Sequence, residues 1–310
     1  VRKYTLAMIR LIQKNRILFE SGPGTIAQSD EWDKLYKHIT QFGADRIVDG
    51  DYELFDKRMP ASLILAAFDI LVHLARVAEW DEHDVRVLRG IAYDIAFPTV
   101  DMNGDFVQFF GSNPSGHPLT VIVNGLANAL YMRYCYFHNS PDRECETFKQ
   151  NVALMTYGDD VIMGINRECF WMSHTLIKNT LATIGINFTM ADKTAESVPY
   201  SNMDQATFLK RSWRFESELD AYVCPIDHSS IEKMLTMCVR SKTISRELQA
   251  IAVIDTAIRE YFWYGKQVFT EKREMLLQVI EENELAVYCE RDFPSWDSLV
   301  AEFRHYSGCT

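Results

Sequence analysis

Two groups of carboxylates in this chain sit at spacings that can gather a divalent cation. Asp51 and Asp56 frame "DYELFD", a D-x4-D pattern directly after the apolar residues Ile47 and Val48. Asp159 and Asp160 stand side by side in "ALMTYGDDVIMGI", residues 153–165. Val152, Leu154 and Met155 before that pair, and Val161, Ile162 and Met163 after it, suit a buried strand on each side of a tight turn. Buried carboxylates are costly unless paired, protonated or bound to a metal. The pair is therefore either an exposed hairpin tip or a cation site. Three carboxylates converging from two strands can hold two Mg2+ ions, which stabilise the attacking and leaving oxygens of a phosphate between them. Phosphoryl chemistry becomes the leading class. Each motif alone has a plainer reading: with 43 acidic residues in the chain, D-x4-D is often a solvated loop, and Gly-Asp-Asp a solvated turn.

Between the two acidic groups lies "SGHPLTVIVN". Ser115 and Gly116 open a loop that can approach a ligand closely, and Thr120 and Asn124 fall i, i+4 on one face of the next helix. Their hydroxyl and amide can read sugar hydroxyls, or serve as a cap and as polar residues packed inside a helix bundle. "MADKT" and "FLKR" add Lys193, Lys210 and Arg211, which taken singly are ordinary solvated bases.

These groups need elements to carry them. A mixed-charge helical start leads through "SGPGTIAQSD" to a short helix from about Asp30 to Ile39, then to a strand ending at Asp51. Pro60 to Trp80 has helical spacing. Asn103-Gly104 between two strand-like runs predicts a type I′ hairpin. It does not complete a calcium loop, because Ser112 stands where the closing Glu should be. A long helix is expected from about Leu119 to Phe137, then strand, turn and strand around Asp159, then a helix from about Cys169 to Ile184. "ATFLKRSWRF" and "LDAYVCPID" read as short strands, and from Ser229 onward the pattern is helical.

With 310 residues and 47% hydrophobic content, the chain can build a substantial core in one large domain or two ordinary ones. The apolar stretches at 61–78 and 121–137 are broken by Asp69, His73 and Arg76, and by Asn124, Asn128 and Arg133, so they suit buried helices better than membrane spans. Seven scattered cysteines without a C-x-x-C pair read as reduced thiols of a cytosolic compartment. A net charge of -11 argues against nonspecific coating of nucleic acid while leaving room for a groove with a local basic lining. The first residues lack a signal-peptide pattern and an initiating Met, which reads as a processed piece or a fragment.

In order, "DYELFD", "SGHPLTVIVN", "YGDD", "ADKT" and "FLKR" resemble motifs A to E of the viral RNA-dependent RNA polymerases, closest to the picornavirus-like group. The resemblance covers nearly the whole chain. It implies an α+β fold: a right-hand polymerase palm, with an antiparallel sheet flanked by helices, and a mostly helical thumb. The implied parts are the end of the fingers at 1–20, palm at 21–90, a fingers insertion with the hairpin at 91–113, palm at 114–222 and thumb at 223–310. Asp51 and Asp159 would be the principal ligands of two Mg2+ ions, with Asp160 in support and Mn2+ an acceptable substitute. Asp56, Ser115, Gly116, Thr120 and Asn124 would bind the NTP and read its ribose 2′-hydroxyl. Lys193 would act as general acid for pyrophosphate, and Lys210 and Arg211 would grip the primer and RNA.

The same resemblance implies template-directed RNA synthesis for viral genome replication and transcription. RNA template, primer and NTPs would be the partners, joined by a protein primer and other viral replication proteins, in membrane-associated complexes of the host cytoplasm. One departure stands out: the basic motif F of the fingers is not reproduced by "VRKY" or "RLIQKNR". The expectation is a palm-and-thumb portion of a longer polymerase, inactive alone. Two alternatives stay open, a reverse transcriptase-like palm and a catalytically incompetent fragment that only binds. Asp56 and Asn124 weigh against the first, because a deoxynucleotide offers them no 2′-hydroxyl.

Overall fold

The computed structural model describes residues 1–113, 116–192 and 195–307. In chain order its longer elements begin with α1 (Arg2–Lys14), α2 (Glu31–Ile39), β1 (Ile47–Tyr52), α3 (Ala61–Val77), α4 (Glu82–Ala96), β2 (Thr99–Met102) and β3 (Asp105–Gln108). They continue with α5 (Thr120–Asn139), β4 (Val152–Tyr157), β5 (Asp160–Ile165), α6 (His174–Ala182) and β6 (Phe188–Thr189). β7 (Arg214–Glu216), β8 (Ala221–Val223), α7 (His228–Thr236), α8 (Arg246–Phe262), α9 (Lys266–Glu282) and α10 (Trp296–Ser307) follow. This α+β chain divides into two compact units, one of residues 1–25 and 38–209, the other of 26–37 and the chain from 210. β7 and β8 belong to the second unit, as does most of α2.

The first unit is organised on an antiparallel sheet in the order β4-β5-β1-β6. β4 and β5 are buried at nearly every position, which is why their sequence is a continuous apolar run and not an alternating one. α5 packs on β4 and α3. It is buried on most of its circumference, including Ile122, Asn124, Ala127, Asn128, Tyr131 and Cys135. A helix buried all round must find partners for its amides, and Asn124 and Asn128 do so below. The segment before α2 joins the sheet at its β4 edge: Gly22 N donates to Thr156 O at 2.7 Å and Thr156 N to Glu20 O at 3.0 Å. Arg133 of α5 clamps Glu20 with two hydrogen bonds of 2.6 and 3.0 Å.

α4 has no counterpart among the predicted elements, although its signals are ordinary. Asp81 caps it by accepting from Asp84 N at 2.8 Å, and Val85, Leu88, Ala92 and Ile95 form a buried stripe at helical spacing. β2 and β3 close around Asn103-Gly104, with φ of 59° and 99°, as a type I′ turn requires. The helix predicted from Cys169 begins only at His174, because Ser173 caps it by accepting from Leu176 N at 3.3 Å. The strands predicted around "FLKR" shrink to three residues each. Leu209 and Lys210 have φ of 56° and 58°, a left-handed turn that no strand accommodates.

In the second unit Trp32 of α2 stacks on Trp213 with centroids 4.8 Å apart, and Asp33 accepts from Tyr222 N at 3.1 Å. α7 to α10 supply the rest, with Phe262, Phe269 and Trp296 in mutual contact. Among the described residues no helix is long and apolar enough to cross a membrane, and Cys135, Cys145, Cys169, Cys224, Cys238 and Cys289 are free thiols.

Candidate active site

The register of the sheet brings the two acidic motifs to one end of β1. β5 pairs with β1 so that Gly50 faces Val161; Asp51 and Asp160 are the next residues on the two strands, and Asp51 itself pairs with Thr189 of β6. The β4-β5 hairpin closes at Tyr157 and Asp160, leaving Gly158 and Asp159 as a two-residue loop. Gly158 takes φ of 66°, the positive value that the first position of a type II′ hairpin demands. Asp159 is exposed, and Asp51 and Asp160 are half-buried, so the pair forms a hairpin tip beside a third carboxylate. Like charges near one another repel, and a bound cation would relieve that repulsion.

Among the described residues no group of three or more His, Cys, Asp or Glu side chains forms a ready-made metal cage. The donor set nevertheless suits Mg2+. That ion takes hard oxygen ligands, uses one or two carboxylates and completes its shell with water and substrate phosphates.

A buried hydrogen-bond chain holds the tip. Tyr52 OH donates to Asn128 Oδ1 at 2.8 Å, and Asn128 Nδ2 donates to Gly158 O at 3.1 Å and Asp159 O at 3.0 Å. β1, α5 and the turn are thus tied through one fully buried amide. Burial raises Tyr52 well above its ordinary range, keeping the hydroxyl a donor. Tyr52 N also donates to Asp51 Oδ1 at 2.7 Å, orienting that carboxylate. Close approach inside the sheet supports the same geometry: a Cβ on Gly50 would lie 2.1 Å from the ring of Phe188 on β6.

The residues of the second motif lie on α5 and in the segment before it. Asn124 Nδ2 donates to Asp56 Oδ1 at 2.6 Å, so α5 and the residues after β1 meet at these two side chains. Thr120 Oγ1 donates to His117 O at 3.0 Å at the start of α5, and Gly116 is exposed with φ of 93°. Ser115 and Lys193 lie outside the described residues. In the second unit Lys210 is exposed, while Arg211 is committed elsewhere: both terminal nitrogens donate to Glu260 at 2.8 Å and one reaches Cys224 O at 2.7 Å. A phosphate would have to compete with that buried carboxylate for Arg211.

Sequence reasoning missed three residues near the carboxylates. Tyr52 and Asn128 carry the support just described; their one signal was a second amide four residues after Asn124 in an apolar helix. Asp49 lies on the same face of β1 as Asp51 but is buried. Its Oδ2 accepts from Thr207 N at 3.2 Å, and burial pushes the carboxyl above its ordinary range.

The family described as Viral RNA-dependent RNA polymerase matches residues 1–273. The chain is similar to the replicase polyprotein of Drosophila C virus, 27% identical over 92% of this chain and 17% of the polyprotein. It is similar to that of Cricket paralysis virus, 26% identical over 88% of this chain and 16% of the polyprotein. The RNA1 polyprotein of Satsuma dwarf virus is 26% identical over 100% of this chain and 15% of its own length. The chain thus spans under a fifth of these relatives. The fold is similar to a solved Sicinivirus 3Dpol RNA-dependent RNA polymerase, with a TM-score of 0.78 and 14% identity over 99% of this chain and 60% of that one.

Proposed function

Since this chain belongs to the viral RNA-dependent RNA polymerase family, we propose that it is the palm-and-thumb portion of a polymerase that synthesises RNA on an RNA template. The reaction transfers a nucleoside monophosphate from an NTP to the 3′-hydroxyl of the growing strand and releases pyrophosphate. One observation supports the reading: the antiparallel registers that set Gly50 opposite Val161 and Tyr157 opposite Asp160, so that the strand end before Asp51 lies along the strand that begins at Asp160. Two Mg2+ ions held by Asp51 and Asp159, with Asp160 in support, would supply the positive charge that stabilises the phosphate in transit.

The chain's own residues do the rest. Tyr52 and Asn128 keep the hairpin tip in place, so that the carboxylates are preorganised and need not be reorganised as the reaction proceeds. Asp56 accepts from a ribose 2′-hydroxyl while Asn124, already donating to Asp56, offers its second N–H to the same oxygen. That donor and acceptor pair matches a hydroxyl and has nothing to bind on a deoxyribose, which favours ribonucleotides over the reverse-transcriptase alternative. Lys193 is assigned the proton that pyrophosphate takes up on leaving, and Lys210 a phosphate of the primer. By analogy with the viral polyproteins, the enzyme works in membrane-associated complexes of the host cytoplasm with a protein primer and other replication proteins.

The test is primer extension by the full-length polymerase on a defined RNA template. Incorporation must follow the template base by base and be lost in Asp159→Asn and Asp51→Asn variants that keep the wild-type circular dichroism spectrum. Extension retained in either folded variant would remove the assigned carboxylate roles.

A further inference from the structure

Asn124 does not choose its own orientation. Its Oδ1 accepts from Asn113 Nδ2 at 2.6 Å, and the same Asn113 nitrogen reaches Thr120 O at 3.3 Å. Asn113 Oδ1 lies 2.8 Å from His117 Nε2, and His117 Nδ1 accepts from Leu119 N at 3.2 Å. Asn113 is almost wholly buried and Asn124 nearly so. Asn113 N, in addition, donates to Asp56 O at 3.0 Å, so the relay returns to the residue it serves.

The two ends of this relay permit one arrangement. A backbone N–H can only donate, so Leu119 requires a bare Nδ1 on His117 and places the proton on Nε2. That N–H needs an acceptor, which turns the oxygen of Asn113 toward His117 and its NH2 toward Thr120 O and Asn124. Asn124 must then present Oδ1 to Asn113 and NH2 to Asp56. An ionised carboxylate only accepts, so the far end demands the same orientation. Flipping either amide, or moving the proton of His117, would set two donors or two acceptors against each other in a buried site, where an unmade hydrogen bond is most costly. Burial also pushes His117 below its ordinary range, in keeping with a neutral ring.

We propose that Asn113 and His117 are positioning residues that fix the Asn124 amide against Asp56 and thereby set the preference for ribo- over deoxyribonucleotides. This rests on the proposed reading of Asp56 and Asn124 as the ribose site. Neither positioning residue touches the sugar. Their contribution is to deny Asn124 the flipped amide that would turn an oxygen toward Asp56 and leave the 2′-hydroxyl without its donor.

The experiment measures kcat/KM for ATP and for dATP on one RNA primer-template with the full-length polymerase. Asn113→Leu and His117→Phe are expected to lower the ATP:dATP ratio by about tenfold, the size of one mispositioned hydrogen bond, chiefly through KM for ATP. His117→Gln, whose amide can still donate to Asn113 Oδ1, restores most of the ratio. A ratio that stays at the wild-type value in Asn113→Leu and His117→Phe, while Asp56→Ala reduces it, overturns the relay and leaves the ribose site standing. A ratio unchanged in Asp56→Ala as well overturns the ribose reading and the relay with it. Long-range 1H–15N NMR of His117 in the unmodified chain is a second arm that needs no variant to fold. A proton on Nε2 at neutral pH supports the relay, and one on Nδ1 refutes it.

Discussion

Replacing Asn128 with Leu removes the amide that ties β1, α5 and the Gly158–Asp159 turn, at nearly constant volume. Three groups lose a partner: Tyr52 OH, Gly158 O and Asp159 O. Asp159 is exposed, so its carbonyl can turn to water. Tyr52 and Gly158 are buried and cannot. Two buried groups left unpaired cost about 1–3 kcal/mol each, and the added apolar surface of Leu returns about 1–2 kcal/mol. A net loss of roughly 2–4 kcal/mol in the first unit follows from those terms.

Tyr52→Phe leaves only the buried Asn128 Oδ1 without its donor and costs about 1–3 kcal/mol. In the Asn128→Leu background the same change removes a hydroxyl that already lacks its partner and should return stability, giving a coupling larger than the single cost. Hydrogen exchange of the β4 and β5 amides reads the first unit separately from the second, and primer extension by the full-length enzyme reads the turn. Asn128→Leu should lower amide protection and reduce kcat more than KM. Unchanged protection with unchanged extension would refute the argument that this amide holds the tip.

Gly50→Ala places a methyl group against the buried ring of Phe188 and should destabilise the first unit by about 1–3 kcal/mol; wild-type protection of β1 would contradict the close approach. Glu260→Ala strands the Arg211 guanidinium in the second unit and should cost about 3–5 kcal/mol in the protection of α8, whereas the double change Arg211→Met with Glu260→Leu should cost much less. Equal losses in the two would show that the pair does not work as a unit. Burial lowers His38 and His174 from their ordinary value, so the unfolded chain binds protons at a pH where the folded chain does not. Their stabilisation is complete above about pH 6.5 and is lost as pH falls below it, by up to about 1.4 kcal/mol per pH unit for each ring. Unfolding measured at pH 7.5 and 5.5 should show that slope diminished in a His38→Gln, His174→Gln double variant; an undiminished slope would assign it elsewhere.

The parts of this molecule legible in the sequence were those fixed by local chemistry. Asn103-Gly104 dictates its turn through two positive φ angles, and Gly158 between apolar runs dictates the hairpin that carries Asp159 and Asp160. The long buried helix from Thr120 and the helical tail followed from apolar spacing. What was not legible depended on partners far along the chain. Spacing cannot reveal that the end of β1 carrying Asp51 lies along the start of β5, since that is set by the β1-β5 register. Nor can it tell which amide in an apolar helix ties down the hairpin turn, as Asn128 does, and which pairs with Asp56, as Asn124 does. Arg211 shows the same limit from the other side: "FLKR" reads as two exposed bases, while a glutamate 49 residues away engages one of them. The left-handed pair Leu209-Lys210 carries no glycine or asparagine to announce it, so the strand predicted there gave way to a turn.

The account turns on carboxylates from two motifs acting at one cation site. Crystals of the full-length polymerase with an RNA primer-template, a non-reactive NTP analogue and Mn2+ would test this by anomalous scattering. The account predicts Mn2+ bonded to Asp51 and Asp159 oxygens at about 2.0–2.2 Å, near the distances expected for Mg2+, with the NTP phosphates completing the shell. Metal bound away from these residues, or phosphates seated with Asp51 and Asp159 uninvolved, would contradict it.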